Sequence, residues 1–287
     1  MNLSAYLEER RARIDAALEK VLPPPETRPA ELHEAMRYCV LNGGKRIRPV
    51  LCLAAAELAG GDPETALTPA LAVEIFHCST LVHDDLPCMD DDDLRRGLPT
   101  CHIRYGEANA VLTGDALLIL AFELLAAEGR SAEALELARA AGSRGVIAGQ
   151  VEDLAAENRP PDPERLAFIH LHKTARLIEA ALRMGAIAGG ADDETVRVLG
   201  RFGERVGLAF QIEDDILDET STDEELGKPV GSDREKKKLT YPAVYGLEEA
   251  RRKAEELTRE ATALLRALPR DTGILEALAE YLLCRTR

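Results

Sequence analysis

Apolar residues recur at three- and four-residue spacing in nearly every segment between glycine and proline punctuation. No period-two alternation bounded by hairpin turns persists anywhere. The pattern predicts an all-α protein, with helices over about 4–20, 29–41, 46–59, 69–86, 107–127, 131–157, 163–189, 193–219, 240–268 and 272–285. Thr68-Pro69 and Asp162-Pro163-Glu164 mark two helix starts, each a capping side chain followed by proline at the first helical position. The charged run 219–238, with Gly227, Pro229 and Gly231, breaks the pattern and predicts a mobile loop. No linker-like stretch or internal repeat divides the chain, so one domain over 1–287 is expected.

Composition narrows the picture. A chain of 287 residues with 46% hydrophobic content can bury a large core. Its formal charge of -15, without a Lys/Arg run or an interleaved aromatic platform, argues against nucleic acid as a partner. Six cysteines (Cys39, Cys52, Cys78, Cys88, Cys101, Cys284) lack C-x-x-C spacing and mostly sit in apolar runs, as reduced structural thiols do. Charge arrives by Glu8-Glu9-Arg10-Arg11, which leaves no apolar secretory core, and a cytoplasmic location is expected. No uninterrupted apolar run approaches the roughly 18 residues of a membrane span.

Two acidic clusters carry the candidate chemistry: Asp84-Asp85-Leu-Pro-Cys-Met-Asp90 and Asp214-Asp215-Ile-Leu-Asp218, both set in apolar helical sequence. Carboxylates crowded in such surroundings repel one another and are costly to desolvate, so they call for cations. Hard oxygen donors favour magnesium, which is usually held by a few carboxylates together with substrate phosphates; a diphosphate bridging the clusters is the expected partner. Helical spacing puts Gln211, Asp214, Asp215 and Asp218 on one stripe, with Phe210, Ile212 and Leu217 elsewhere, and pairs His77 with Asp84. Asp90 would lie roughly 120° around a continuous helix from Asp84. Pro87 should end or bulge the helix and return Asp90 towards Asp84. An EF-hand loop is excluded, because its glycine and terminal glutamate are missing.

The turn Gly43-Gly44-Lys45-Arg46-Ile47-Arg48-Pro49 sets flexible backbone before three cations, with Lys45 and Arg48 on one side of the following helix, a combination suited to a second diphosphate. Arg95-Arg96-Gly97, Lys173-Thr174, Lys228 and Lys238 supply further basic candidates.

With these motifs in view, the chain resembles the trans-isoprenyl diphosphate synthases, in particular bacterial farnesyl and geranylgeranyl diphosphate synthases. The match runs nearly end to end: GGKRIRP at 43–49, HDDLPCMDDDDLRRGLPT at 83–100, Gly149-Gln150-x-x-Asp153-Leu154, His172-Lys173-Thr174, FQIEDDILD at 210–218, and Gly227-Lys228 through Lys238 to Pro242. The resemblance implies a homodimeric helical bundle around a central cavity. It implies condensation of isopentenyl diphosphate with dimethylallyl, geranyl or farnesyl diphosphate, assisted by three magnesium ions. Asp84, Asp90 and Asp214 then correspond to metal ligands, with Asp85 and Asp218 in support and Asp215 completing the cluster. Arg95, Lys173, Thr174, Gln211, Lys228 and Lys238 correspond to the allylic side. Gly44, Lys45, Arg48, His77 and Arg96 correspond to the isopentenyl side, and Arg285 and Arg287 are looser matches over it. Ser79, five residues before Asp84 where bacterial farnesyl synthases usually carry an aromatic, favours a twenty-carbon product with Phe76 as the floor; fifteen carbons is the alternative. A class I terpene cyclase would not need GGKRIRP, and a noncatalytic prenyltransferase subunit would not need both acidic clusters.

Overall fold

The helix Leu67–Asp84 (α4) is apolar on nearly every side, and a helix of that kind must lie inside a bundle. The computed structural model, which describes residues 2–220 and 238–283, puts it there. Around it pack α1 (Leu3–Val21), α2 (Ala30–Leu41), α3 (Ile47–Ala59), α6 (Glu107–Ala127) and α10 (Arg176–Ala188). A second long helix, α11 (Asp193–Thr220), lies against α10 and against α13 (Leu247–Leu265). Phe76 of α4 and Phe202 of α11 are among the largest fully buried side chains. The remaining helices are α5 (Cys101–Tyr105), α7 (Ser131–Ala141), α8 (Val146–Ala156), α9 (Pro163–Ile169), α12 (Tyr241–Tyr245) and α14 (Gly273–Leu283).

The all-helical expectation holds, with four local departures. The helix expected over 131–157 divides at Gly142–Gly145 into α7 and α8, because Gly145 packs so tightly on the Ala140 carbonyl that the chain has turned out of register. The helix expected over 240–268 divides at Gly246, whose φ is 85°. The stretch over 163–189 is helical throughout, but His170–Ala175 forms a π-helical turn between α9 and α10. A two-residue hairpin, Leu94–Arg95 with Leu98–Pro99, was not anticipated; positive φ at Arg96 and Gly97 makes its turn. Most of the run 219–238, including Lys228, lies outside the described residues, as do Arg285, Arg287 and Cys284. The other five cysteines are free thiols, buried or half-buried except Cys88, which is exposed in the turn after α4 and so is not the packed thiol expected.

Two helices, Pro63–Asp84 and Glu107–Ala127, are long and apolar enough for a membrane by composition alone, but the first is the packed centre of the bundle. The second turns Leu112 and Ile119 outward, 57% and 62% exposed.

Close helix contact fixes the spacing of the layers. At Gly185 on α10 a Cβ would collide with the carbonyl oxygen of Cys52 on α3, so those backbones touch without an intervening side chain. Gly185→Ala should therefore destabilise the fold by about 2 kcal/mol through overpacking, seen as a fall in Tm of roughly 5 °C in thermal unfolding.

Candidate active site

The first acidic cluster is shaped by the end of α4. The helix stops at Asp84 just before Pro87, and the backbone N–H of Asp90 donates to the Asp84 carbonyl at 2.8 Å, so the chain folds back as proline at that position demands. The Asp92 N–H similarly reaches the Asp85 carbonyl at 3.3 Å. The hairpin that follows returns Arg95 onto Asp85: its Nε donates to Oδ1 at 3.0 Å and its guanidinium also holds Asp92 at 3.3 Å. Asp85 is 3% exposed, and this pair offsets the burial that pushes its carboxyl upward.

Asp84 points instead into a cavity of about 210 Å³. From α4 the cavity takes His77, Thr80, Leu81 and Asp84, a single stripe at i, i+3, i+4 and i+7. From α11 come Phe210, Gln211 and Asp214; from the π-helical turn, Lys173 and Thr174; from α3, Arg48; from α8 and α10, Val146, Gln150 and Leu177. One acid from each cluster thus faces the same hollow. Burial raises the Asp84 carboxyl to about 6, Lys173 pulls it down and Asp90 adds repulsion.

The second cluster separates its two neighbouring aspartates. Asp214 lines the cavity, whereas Asp215 is 3% exposed and held on both oxygens. Gln211 Nε2 donates to its Oδ1 at 2.8 Å, and the Tyr241 N–H donates to its Oδ2 at 2.7 Å. His170 Nε2 lies 3.1 Å from that same Oδ2. Thr174 Oγ1 in turn donates to Gln211 Oε1 at 2.5 Å, completing a chain from Asp215 to the cavity wall. The shared stripe expected for these acids is corrected here: successive helical residues differ by about 100°, which turns Asp215 away and brings Phe210 in. Asp218 is buried at 2% exposure and is not on this wall.

Two lysines converge on an acid that spacing alone did not single out. Asp153 on α8 accepts from Lys173 Nζ at 2.6 Å, and Lys238 Nζ lies 3.9 Å from it and 3.0 Å from Asp90. Gly149, one turn earlier, has no room for a Cβ against the Lys173 backbone, so α8 and the π-helical turn sit in contact. Such turns often mark functional positions, but nothing in the periodicity of 163–189 separates a π turn from a continuous α-helix.

In the basic turn the three cations part company. Arg46 is 2% exposed and is a core residue: NH1 donates to Glu74 at 2.8 Å, Nε to Asp15 at 2.8 Å, and NH2 to the Val40 carbonyl at 2.7 Å. Lys45 is exposed, while Arg48 reaches His77 Nε2 at 3.2 Å. Burial holds the His77 ring well below its usual pKa, with Arg48 adding to the effect. Arg96 bridges from the hairpin, donating to Asn42 Oδ1 at 2.9 Å and to the Gly43 carbonyl, with its guanidinium against Gly44.

The proposed floor residues are not on the cavity wall. Ser79 and Phe76 are each 1% exposed, and the Ser79 hydroxyl donates to the Phe76 carbonyl at 2.7 Å. Five residues advance a helix by about 500°, which takes Ser79 off the stripe ending at Asp84. A larger hollow of about 810 Å³, between Glu136, Arg144 and Arg183, contains neither acidic cluster and is not where this chemistry lies.

Among the described residues, no three acid, histidine or cysteine side chains converge as a ready-made metal cage. That donor set fits magnesium, which retains waters and takes one or two carboxylates plus phosphate oxygens, better than a cation needing a full protein cage. The elevated Asp84 carboxyl beside Asp90 is the local charge problem such an ion would relieve.

An all-helical bundle with one acid from each of two helices and the cations Arg48 and Lys173 on one cavity suits a transferase of diphosphate substrates. The chain belongs to the polyprenyl synthetase family, whose model matches residues 29–279, and it is a prenyltransferase. It is 49% identical over 296 residues to geranylgeranyl pyrophosphate synthase 11, chloroplastic, of Arabidopsis thaliana, covering 99% of this chain and 82% of the relative. Among solved structures, a Helicobacter pylori geranyltransferase complexed with magnesium and isoprenyl diphosphate is 38% identical, with a TM-score of 0.86 over 98% of this chain and 96% of that one. Geranylgeranyl pyrophosphate synthetase from Pyrococcus horikoshii is 32% identical, with a TM-score of 0.88 over 99% and 98%. The plant relatives are chloroplastic enzymes, and this overturns the expectation of a cytoplasmic protein. A charged stretch of sequence does not by itself identify a compartment.

Arg46 tests whether the basic turn rests on the core. Arg46→Leu should cost about 3–5 kcal/mol in urea unfolding, because Glu74 is left buried and unpaired; Arg46→Met combined with Glu74→Met should recover much of that loss.

Proposed function

We propose that this enzyme condenses isopentenyl diphosphate with allylic diphosphates and releases geranylgeranyl diphosphate as its main product. The observation that carries this reading is the placement of Asp84 and Asp214, from acidic clusters far apart in sequence, on one cavity with Lys173 and Gln211. The twenty-carbon product is favoured by the near half identity to geranylgeranyl synthases along almost the whole chain.

In this reading Asp84, Asp90 and Asp214 hold magnesium, three ions per site, with Asp85 and Asp218 supporting. When bound, the metal neutralises charge gathering on the departing diphosphate. Lys173 and Lys238, tethered to Asp153 and Asp90, are placed to turn onto the allylic diphosphate, joined by Lys228 and by Arg95 once it shares Asp85. Gly44, Lys45, Arg48 and Arg96 take the isopentenyl diphosphate, and His77, kept neutral by burial and Arg48, offers a hydrogen bond without a competing charge. The allylic carbon–oxygen bond breaks with its electron pair leaving on the diphosphate. The isopentenyl double bond attacks the resulting cation, and a proton passes to the departed diphosphate. Thr174 and Gln211, fixed by Asp215, aim oriented dipoles at the cation in a largely dry cavity.

A second copy of the chain is the proposed partner. The outward face of α6 exposes Val111, Leu112 and Ile119, and α8 exposes Ile147 and Val151, a large apolar area for a chain of such high charge.

Purified protein given magnesium, isopentenyl diphosphate and each allylic starter should yield twenty-carbon alcohols after dephosphorylation and chromatography, with chelation by EDTA stopping turnover. Asp84→Ala and Asp214→Ala should each lower kcat by roughly 1000-fold or more with an unchanged circular dichroism spectrum. Activity near that of the unmodified chain in either variant overturns the assignment. Ile119→Glu combined with Leu112→Glu should convert a dimer to a monomer in analytical ultracentrifugation.

A further inference from the structure

The roles above find no use for two polar residues of the cavity, Thr80, whose hydroxyl donates to the His77 carbonyl at 2.8 Å, and Gln150. It is 8% exposed, and neither its amide nitrogen nor its amide oxygen has a hydrogen-bond partner in the protein. An amide buried and unpaired at both ends is destabilising, and a fold that retains one on a cavity wall is retaining it against stability. Gln211, the other amide on the wall, is in the opposite condition: its oxygen accepts from Thr174 and its nitrogen donates to Asp215.

The position of Gln150 along α8 says what the amide would meet. Asp153, Gln150 and Val146 stand at i+7, i+4 and i on one face of that helix. Asp153, behind the cavity wall, holds Lys173, which lines it, at 2.6 Å. Val146 belongs to the apolar part, with Leu177 and Phe210. Gln150 lies between them, about 4.5 Å of helix rise from Asp153 and about 6 Å from Val146. An allylic diphosphate with its phosphates among the lysines and its hydrocarbon against Val146 would carry its reacting carbon past this amide.

We propose that Gln150 is a catalytic residue whose Oε1 faces the allylic carbon and stabilises the positive charge that develops as the carbon–oxygen bond breaks. This deepens the prenyltransferase reading and rests on it. The carbonyl lone pair adds an electrostatic contact to those of Thr174 and Gln211; no covalent bond to Gln150 forms. Because the amide has no partner in the free protein, reorienting it breaks no existing hydrogen bond. Preorganised dipoles of this kind act on the transition state more than on the bound ground state.

The test compares Gln150→Leu and Gln150→Glu with the unmodified full chain, using magnesium, isopentenyl diphosphate and geranyl diphosphate. Gln150→Leu should keep a Tm equal to or above that of the unmodified chain, since an orphaned amide has gone, while kcat falls roughly 100-fold and both KM values stay within about threefold. Gln150→Glu, which keeps an acceptor oxygen, should recover at least about tenfold of that loss. Three results would each overturn the proposal: turnover of Gln150→Leu within about threefold of the unmodified chain; a loss confined to KM; or a lowered Tm with no recovery in Gln150→Glu. A Gln150→Glu variant worse than Gln150→Leu, with a raised KM for geranyl diphosphate, would make the amide a donor to phosphate and also overturn it. Failure of the unmodified chain to turn over would count against the prenyltransferase reading itself, a result distinct from all of these.

Discussion

The constraint on which the rest depends is that carboxylates of one sign are held close together inside apolar helical sequence. Asp84 is raised to about 6, chiefly by burial and further by Asp90, which the turn at Pro87 brings back beside it, against the pull of Lys173. Such an arrangement persists only because the surrounding bundle is rigid enough to over-determine it. The rigidity is visible in the close backbone contacts: α10 against α3 at Gly185, and α8 against the π-helical turn at Gly149. Charge repulsion in the free protein is then the counterpart of affinity for a divalent ion and its diphosphate.

Three cations near the cavity limit that repulsion in the free protein. Arg95 covers Asp85, Lys173 covers Asp153, and Lys238 spans Asp90 and Asp153. These cations meet acids in the free protein, and in the function proposed above the same residues turn from acids to phosphate oxygens. The exchange keeps local charge balanced in both states, which limits what each state costs. Arg46 stands apart. Buried with Glu74 and Asp15, it fixes the entrance of α3 and so the position from which Arg48 reaches His77.

Much of this was legible in the chain. Helical periodicity gave the bundle, and proline geometry at Pro87 gave the return of Asp90, because both depend on local backbone rules. The two acidic clusters and the GGKRIRP turn stood out for the same reason: unusual chemistry at short spacing. What escaped is what depends on tertiary contact. Helical spacing set Arg48 apart from Arg46, but that Arg46 is a core residue turns on where Glu74 lies, on another helix. The division of 131–157 depends on Gly145 meeting Ala140, and the π-helical turn at His170–Ala175 has no signature in hydrophobic spacing. The placement of Phe76 and Ser79 off the cavity wall likewise required α4 to be seen against its neighbours.

The neighbouring acids Asp214 and Asp215 show how one motif supplies two functions. A rotation of about 100° along α11 sends Asp214 to the cavity and Asp215 into a site made by His170, Tyr241 and Gln211. Both oxygens of Asp215 are engaged, so it has little capacity left for a metal ion. What it does have is control of Gln211, whose amide it orients, and through Gln211 of Thr174. Replacing that carboxylate would leave the charge count at the cavity unchanged while freeing the amide to rotate. The doubled aspartate of α11 is therefore better understood here as one cavity-facing acid and one brace. The brace ties the second acidic cluster to the π-helical turn, the element that brings Lys173 to the first.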